Sequence, residues 1–314
     1  MKVLYFVRNS GIASRTPPGW RHALVGPRPE GAFPAERYGE LADADVVVAG
    51  LDPVGEEVLA RAPALKLLQR LGVGHDAVDL EAAARYGVPV ANLPDYNSGV
   101  VAEHTLMLAL GLLRRVFESS LLMKAGRWPV AEIAGRGLYS LEGKTLGLIG
   151  FGAIGRAVAA RAAPFQVRLL YTDERPAPSG LHGATPVPLE RLLAESDIVS
   201  LHLPLTDRTR GILDAGRLGR MKPGAFLINT ARGELVDEQA LVEALATGRL
   251  SGAGLDVFAR EPLDERHPLL RSPNVLLTPH LAGQTREAME RMLDALHANL
   301  ARVERGEEPQ HRVV

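Results

Sequence analysis

Short apolar runs typical of strands alternate with helical stretches along nearly the whole chain. A helix between two strands brings the chain back to the starting edge of the sheet, so that the second strand can pair in parallel with an earlier one. This alternation therefore favours a parallel α/β architecture. Residues 10–35 are rich in glycine and proline, and we expect them to be mostly irregular. The strand candidates of the first third of the chain are residues 2–7, 44–50, 65–72 and 88–93.

A second α/β series follows a predicted linker at residues 92–99 and a long predicted helix at about residues 100–126. A final helix is expected at about residues 285–305. Six strands with intervening helices are typical of a doubly wound, dinucleotide-binding sheet. The six strand candidates of this series are residues 145–150, 167–173, 197–203, 225–230, 252–257 and 274–278.

Length and composition narrow the class of protein. A chain of 314 residues predicts about two domains, and 46% hydrophobic against 23% charged residues predicts a globular core. The net charge of −1 gives no electrostatic reason to expect nucleic acid or an anionic membrane as a partner. The longest apolar stretch, Thr105 to Leu113, is too short to span a bilayer. The chain has no cysteine, which excludes disulfides and cysteine-metal sites, and no metal site is expected. The start of the chain does not resemble a signal peptide, so we expect a cytoplasmic protein.

The segment "GLIGFGAIGRAVAARAA" places three glycines in a pattern that binds dinucleotides when a strand precedes it and a helix follows. Gly150 permits the tight turn, Gly152 lets the backbone approach a pyrophosphate, and Gly155 lets helix and strand pack closely. The N–H groups at the start of the helix, including those of Ala153 and Ile154, would then face the phosphates. The alternative is a tight strand–helix turn that binds no ligand.

An acidic residue, Asp173, ends the next predicted strand, roughly 20 residues beyond the glycines, where an acid meets the adenosine ribose. A carboxylate accepts hydrogen bonds from both ribose hydroxyls but repels a 2′-phosphate. The sequence therefore predicts NAD as the cofactor and makes NADP less favoured. Arg175 is the opposing signal, because an arginine two residues further on offers a 2′-phosphate a partner.

Three polar residues, Arg232, Glu261 and His280, fall at or just beyond the carboxyl ends of predicted strands. Ligands of open parallel sheets bind at this edge. Each residue also has an ordinary structural explanation: a solvated arginine, an acid in a turn, or a histidine in the core. Their common position on the edge that carries the glycine loop favours a catalytic group.

The sequence resembles the D-isomer-specific 2-hydroxyacid dehydrogenase family from about Ala44 to Arg305. This resemblance implies two doubly wound parallel-sheet α/β domains of Rossmann or flavodoxin-like type with a cleft between them. It places the substrate domain at residues 1–97 plus 284–314 and the NAD-binding domain at residues 98–283, with closure on the substrate. The matching stretches are "RLGVGHDAVDL", "NSGVVAEHTLMLAL", "LGLIGFGAIGRAVA", "HLPLTDRTRGIL", "NTARGELVDEQAL", "GAGLDVFAREPL" and "LLTPHLAGQT".

The resemblance implies catalytic roles for the three strand-end residues. His280 would donate the proton to the carbonyl oxygen and accept it in the reverse reaction. Glu261 would orient the imidazole and favour its protonated form. Arg232 would bind the substrate carboxylate and polarise the carbonyl group.

Further site residues follow from the resemblance alone. The backbone N–H groups of Val73 and Gly74 would bind the substrate carboxylate. Asp256 would hydrogen-bond the nicotinamide carboxamide, with Thr230 and Ala231 beside the ring. His202 and Pro204 would line the adenine side. No role follows for the two other histidines near these motifs, His75 and His104.

The implied activity is hydride transfer between NAD(H) and a small 2-oxo or D-2-hydroxy acid, with glyoxylate and hydroxypyruvate as the expected substrates. One alternative is a 3-phosphoglycerate dehydrogenase-like member, although Ala49 and Gly50 stand where such members commonly place an arginine. Another is an NAD(H)-sensing binding protein with little turnover. A homodimer is expected through the helix that starts at Val100, which has an intrachain core helix as its alternative.

Overall fold

A computed structural model describes residues 1–8, 10–28, 31–175, 177–178, 180–272 and 274–314. The chain divides into two compact units. Unit 1 consists of Met1–Tyr96 and Thr285–Val314, and unit 2 consists of Asn97–Gln284. Unit 1 is therefore assembled from both ends of the sequence, whereas unit 2 is a single continuous segment.

A five-stranded parallel sheet forms the centre of unit 1. Its strands are β1 (Lys2–Phe6), β2 (Arg21–Val25), β3 (Val46–Ala49), β4 (Leu67–Arg70) and β5 (Val90–Ala91). They lie in the order β2-β1-β3-β4-β5, which is the order of flavodoxin-like sheets. The winding direction reverses between β1 and β3, so a crevice for a ligand is expected at the carboxyl ends of these strands.

A seven-stranded parallel sheet forms the centre of unit 2. Its strands are β6 (Thr145–Ile149), β7 (Arg168–Thr172), β8 (Thr185–Pro186), β9 (Ile198–Leu201), β10 (Ala225–Asn229), β11 (Leu250–Leu255) and β12 (Val275–Leu277). The order is β12-β11-β10-β9-β6-β7-β8, so the winding direction reverses between β6 and β9. This is the strand order of dinucleotide-binding sheets, extended by one strand. The sequence predicted six of these strands, and the short edge strand β8 is the one that it missed.

Helices connect the parallel strands. They are α1 (Ser10–Ala13), α2 (Glu56–Leu59), α3 (Leu80–Arg85), α4 (Ser98–Leu113), α5 (Val116–Lys124), α6 (Val130–Gly135), α7 (Ala153–Ala162), α8 (Leu189–Glu195), α9 (Ala215–Arg220), α10 (Glu238–Ala246) and α11 (Arg286–Glu304). Short 3₁₀ segments lie at Ala35–Glu40, Ala163–Phe165, Leu181–Gly183, Gly233–Leu235 and Pro268–Arg271. Several helices begin at a side chain that accepts the N–H group three residues further on, which satisfies an otherwise unpaired donor. These caps are Asp79, Asp214, Asp237 and Thr285.

The central strands are buried on both faces, which explains their continuous apolar sequences. Along β1, Leu4 and Phe6 point into one core of unit 1, and Val3 and Tyr5 point into the other. The second of these cores also contains Leu296, Leu300 and other apolar residues of α11. The last part of the chain thus covers one face of a sheet whose strands all come from the first part.

The expected fold class, two parallel-sheet α/β domains, is confirmed, with differences in detail. The segment expected to be mostly irregular contains β2, an edge strand whose first residues are exposed, so it lacks the apolar pattern of the inner strands. The long predicted helix is interrupted at Arg115, which has a left-handed φ of 48° and separates α4 from α5. Within the described ranges, no helix is both long enough and apolar enough to span a membrane.

Candidate active site

His280 lies in the turn after β12, in a left-handed conformation with φ of 56°. Its backbone N–H donates to the carbonyl oxygen of Asp256 at 2.8 Å, which fixes the turn. The imidazole Nδ1 lies 2.7 Å from Oε2 of Glu261, and both side chains are about 30% exposed, at 28% and 33%. Because an ionised carboxylate can only accept a hydrogen bond, we assign the Nδ1 hydrogen to this contact. Nε2 is then the atom that can give or take a proton.

Glu261 follows β11 and is fixed by contacts from two sides. Its Oε1 accepts the N–H of Phe258 at 3.0 Å, while Oε2 faces His280. Burial by itself raises the pKa of this carboxyl group, but the hydrogen bonds from His280 and Phe258 and the positive charges of His280 and Arg232 together lower it. Glu261 is therefore ionised at neutral pH and orients the imidazole as an acceptor.

Arg232 lies just beyond β10, where a network of backbone contacts fixes the turn. The Asn229 side chain donates to the carbonyl oxygen of Arg232 at 2.8 Å and accepts the N–H of Ala231 at 3.0 Å. A Cβ atom added to Gly233 would lie 1.9 Å from the carbonyl carbon of Phe258, so this turn packs directly against the segment that leads to Glu261. The structure thus places the guanidinium group where its charge acts on the Glu261 carboxylate.

The carboxylate of Asp256 anchors the turn that carries His280. This side chain is 1% exposed, and its Oδ1 accepts the Leu281 N–H at 2.8 Å and the Thr278 hydroxyl at 2.5 Å. Its Oδ2 accepts the Ala282 N–H at 2.8 Å. Residues on both sides of His280 are therefore bound to one buried carboxylate.

His104, which the sequence left without a role, extends this network from α4. Its Nε2 lies 3.0 Å from the Thr278 hydroxyl oxygen. Since that hydroxyl donates its hydrogen to Asp256, its oxygen accepts from His104, and the Nε2 atom must carry the hydrogen. Burial lowers the pKa of His104 against the effect of the Asp256 charge, which favours a neutral imidazole. No local sequence pattern marks this contact.

The glycine loop combines a tight turn, close packing and one open stretch of backbone. Gly150 has a positive φ of 96°, and an added Cβ atom would lie 2.5 Å from the His202 carbonyl oxygen. A Cβ atom on Gly155 would lie 2.2 Å from the Gly150 carbonyl oxygen, so the start of α7 packs against the loop. Around Gly152, in contrast, no described atom lies within 4 Å of the added Cβ position. The backbone at Gly152 is thus open to a ligand, as are the first N–H groups of α7, at Ala153 and Ile154.

Asp173 lies at the end of β7 and is tied to the glycine loop. Its Oδ2 accepts the Phe151 N–H at 2.6 Å, and its Oδ1 accepts the Arg175 N–H at 2.8 Å. These contacts hold the carboxylate beside the loop, at the same edge of the sheet. The residue pattern that would bind the ribose of a dinucleotide is therefore present next to the open backbone of Gly152.

His202 lies at the point where the strand order reverses. Its N–H donates to the Ile149 carbonyl oxygen at 2.7 Å, and its Nε2 lies 2.9 Å from the Ser200 hydroxyl. Burial lowers the pKa of His202 to about 3, so this imidazole is neutral. Pro204 follows two residues later in the same loop. This neutral, half-buried histidine suits a packing role beside the loop and supplies no charge to it.

Thr230 and Ala231 lie between β10 and Arg232. The Thr230 hydroxyl is 3.1 Å from that of Thr105 on α4, and the residue is 8% exposed. Val73 and Gly74 belong to unit 1, in the loop after β4, and the Val73 side chain is 42% exposed. Among the described residues, no group of three or more acidic or histidine side chains is arranged to hold a metal ion.

The strand orders and the site place this chain among nicotinamide-nucleotide-dependent oxidoreductases, which bind the dinucleotide where the winding direction reverses. The family model described as D-isomer specific 2-hydroxyacid dehydrogenase, NAD binding domain, matches residues 106–282, and the chain belongs to this family.

Relatives of known sequence and structure agree with this assignment. The chain is 42% identical over 275 residues to a glyoxylate reductase of Korarchaeum cryptofilum, covering 86% of this chain and 83% of that protein. A protein from Thermus thermophilus with a known crystal structure is 39% identical in sequence to this chain. The structural match covers 100% of both chains and has a TM-score of 0.89. An NAD-dependent formate dehydrogenase of Staphylococcus aureus, in complex with NAD, is 32% identical, covers 100% of this chain and 99% of that chain, and has a TM-score of 0.88.

Proposed function

We propose that this protein is an NAD(H)-dependent reductase that converts a small 2-oxo acid, of the glyoxylate or hydroxypyruvate type, to the corresponding 2-hydroxy acid in the cytoplasm. The observation that carries the proposal is the 2.7 Å contact between His280 Nδ1 and Glu261 Oε2. It supports an imidazole whose Nε2 is held ready to give a proton to a carbonyl oxygen. Glyoxylate is favoured because the Korarchaeum relative is named as a reductase of this compound.

The described residues fit an NAD molecule. The open backbone at Gly152 and the N–H groups of Ala153 and Ile154 would bind the pyrophosphate. Asp173 would accept hydrogen bonds from the ribose hydroxyls and repel a 2′-phosphate, which favours NAD over NADP. Bound NADH would supply the hydride for the carbonyl carbon.

The remaining steps fall to side chains and backbone groups of this chain. The N–H groups of Val73 and Gly74 and the guanidinium of Arg232 would bind the substrate carboxylate. Arg232 would also polarise the carbonyl group. His280 would then donate the Nε2 proton to the oxygen, and the ionised Glu261 would compensate the imidazolium charge on Nδ1. In the reverse direction, the neutral His280 would take the hydroxyl proton.

A phosphorylated substrate is the weaker alternative. The residues after β3 are Gly50 and Leu51, and the Leu51 side chain is apolar and 50% exposed. Arg8, two residues beyond β1, forms an ion pair with Asp52 at 2.5 Å, which neutralises its charge. The carboxyl edge of this sheet therefore favours a small substrate without a phosphate group, such as glyoxylate or hydroxypyruvate.

We also propose that the protein forms a homodimer through the α4–α6 face of unit 2. An apolar groove on this unit is lined by Leu106, Met107, Leu110, Phe117 and Phe165, among others. The neighbouring side chains Leu121, Trp128 and Val130 are 68%, 79% and 63% exposed. Apolar patches of this kind mark protein interfaces. Light scattering should give twice the chain mass, and the double variant Phe117→Glu/Leu121→Glu should give a monomer.

The activity is tested by NADH oxidation with purified protein and glyoxylate, hydroxypyruvate, 2-oxobutyrate, phenylpyruvate or 3-phosphohydroxypyruvate. Rapid turnover of one of the first two supports the proposal, and tight NADH binding without any turnover would instead identify a binding protein. His280→Ala should lose about 100- to 10,000-fold in kcat while NADH binding persists. The matched control is His22→Ala, since His22 is an exposed histidine on β2. Loss of NADH binding in His280→Ala would assign His280 a folding role.

A further inference from the structure

The loop after β4 has a regular hydrogen-bond pattern on its carbonyl side. The Gly72 carbonyl oxygen accepts the Leu93 N–H at 3.0 Å, and the Val73 carbonyl accepts from Nδ2 of Asn92 at 2.8 Å. The Gly74 carbonyl accepts from Nε of Arg70 at 3.1 Å. Three successive carbonyl groups are thus each bound by a donor of unit 1.

The peptide geometry turns this pattern into a statement about the N–H groups. In a planar trans peptide, the N–H of the next residue points opposite to the carbonyl group. Binding of the Val73 carbonyl by Asn92 therefore aims the Gly74 N–H away from Asn92. By the same geometry, binding of the Gly74 carbonyl by Arg70 aims the N–H of His75 away from the guanidinium. In the part of the chain that the structure describes, the N–H groups of Val73, Gly74 and His75 meet no protein acceptor.

Arg70 is an unusual residue for the position it occupies. It ends β4 and is 2% exposed, although a charged guanidinium is costly to bury unless hydrogen bonds satisfy it. Besides the Gly74 carbonyl, it donates through Nη1 to the Ala49 carbonyl oxygen at 3.2 Å. The planar fork of the guanidinium therefore joins the end of β3 to the loop, a geometry that the single ammonium of a lysine does not reproduce.

Asn92 is itself held in place by the last residues of the chain. Its N–H donates to the His311 carbonyl oxygen at 3.2 Å, and the Val313 N–H donates to the Val90 carbonyl oxygen at 2.7 Å. These contacts extend the edge of the sheet beyond β5. The backbone of Asn92 is thus fixed by the C-terminal residues, while its side-chain amide donates to the carbonyl group of Val73.

We infer that Asn92 and Arg70 are positioning residues for the substrate carboxylate. By binding the Val73 carbonyl, Asn92 aims the Gly74 N–H toward the anion. By binding the Gly74 carbonyl, Arg70 fixes the following peptide and presents the His75 N–H as a further donor beside those of Val73 and Gly74. This inference rests on the proposed function of the loop. The buried positive charge of Arg70 behind the loop adds attraction for an anion in front of it. Neither residue touches the reacting atoms.

Substitutions at Asn92 give the sharper test. Asn92→Asp keeps the shape, removes the donor and adds a negative charge near the loop, whereas Asn92→Ala only removes the donor. We expect the KM for glyoxylate to rise about tenfold in Asn92→Ala and about a hundredfold in Asn92→Asp, with kcat and NADH affinity near the wild-type values. A merely structural role would lower the melting temperature without producing this order. Gln239→Glu, an added charge at an exposed position of α10, is the control.

Arg70 is tested by Arg70→Lys and Arg70→Gln. The lysine variant should keep part of the affinity for the carboxylate, and the glutamine variant should raise the KM more. Binding of oxamate, a non-reacting carboxylate analogue, is measured in parallel by calorimetry with NADH present. If the wild type turns over but a folded Asn92→Asp variant keeps an unchanged KM, the inference is overturned while the proposed function stands. Absence of turnover in the wild type would refute the proposed function, and oxamate affinity would then decide the inference.

Discussion

The hydroxyl of Thr278 donates to the carboxylate of Asp256 at 2.5 Å and thereby joins the end of β11 to the turn that carries His280. Two backbone N–H groups, of Leu281 and Ala282, bind the same carboxylate. The position of the imidazole therefore depends on a buried side chain that does not contact it directly. Substitution of a single residue of this hydrogen-bond network should therefore lower kcat in a protein that still folds.

Thr278→Val preserves the shape and deletes the hydroxyl. Asp256 then loses one donor and the Nε2–H of His104 loses its acceptor, so unfolding free energy should fall by about 1–3 kcal/mol. We expect a lower kcat with NADH affinity retained. Urea unfolding and steady-state kinetics measure both effects. A variant with wild-type kcat would show that the turn is held by its backbone contacts alone.

Glu261→Gln removes the ionised acceptor of the His280 imidazole. The amide cannot compensate the charge that develops on protonation, and a hydrogen bond to a charged group contributes about 1.5–3 kcal/mol. We expect kcat to fall about 10- to 100-fold. Glu265→Gln, a nearby exposed acid, serves as the control in the same assay. Equal activity of the two variants would remove Glu261 from the mechanism.

The glycines of the loop should separate folding from cofactor binding. Gly155→Ala places a methyl group where only 2.2 Å separates it from the Gly150 carbonyl oxygen, so this variant should be destabilised or fail to fold. Gly152→Ala meets no described atom within 4 Å and should fold normally. It should nevertheless bind NADH more weakly, because the methyl group would occupy the space proposed for the pyrophosphate. Thermal unfolding and fluorescence titration with NADH test the contrast, and normal NADH affinity in folded Gly152→Ala would place the pyrophosphate elsewhere.

Asp173 should determine the choice between the two nicotinamide dinucleotides. In Asp173→Ser the charge that repels a 2′-phosphate is removed, and the exposed Arg175 can approach it. The ratio of kcat/KM for NADH to that for NADPH should fall by about tenfold or more, which corresponds to about 1.4 kcal/mol. Both cofactors are compared at saturating glyoxylate. An unchanged ratio would mean that a residue other than Asp173 distinguishes the ribose of NADH from the 2′-phosphorylated ribose of NADPH.

His202 makes stability dependent on pH. Its pKa is lowered from the ordinary value of 6.5 to about 3 by burial, so the unfolded chain binds a proton in this range while the folded protein does not. Above pH 6.5, His202 is neutral in both the folded and the unfolded state and does not change the free energy of unfolding. As the pH falls from 6.5 toward about 3, only the unfolded chain gains this proton, so the free energy of unfolding decreases progressively. His202→Gln cannot titrate, so its unfolding free energy should change less between about pH 7 and pH 4. Denaturant unfolding at both pH values decides this, and parallel losses in both proteins would exclude His202 as the source.

The features that can be predicted from the sequence are those with a local signature. The glycine loop is a strand, a turn and the start of a helix in one short segment, so the glycine spacing together with this local context locates Gly150 and Gly155. Arg232, Glu261 and His280 follow strands, and parallel strands bring their carboxyl ends to one edge. The contact between His280 and Glu261 then follows from two neighbouring strands, β11 and β12.

The features that the sequence could not predict depend on distant residues or on weak patterns. The contact of His104 with Thr278 joins positions 174 residues apart, and neither position stands out in its own segment. The contact of Asn92 with the Val73 carbonyl is made to the backbone, which leaves no trace in side-chain chemistry. The strand β2 has exposed residues on an edge, so apolar alternation does not reveal it.

The assembly of unit 1 from both ends of the sequence has a consequence for synthesis. Unit 2 is continuous and can form its sheet as soon as residue 284 has left the ribosome. The first 96 residues, in contrast, lack the cover of Leu296 and Leu300 until α11 emerges. During most of its translation the nascent chain therefore carries an incomplete unit 1, with one apolar face of its sheet exposed. This face is covered only when the last helix, α11, has been synthesised.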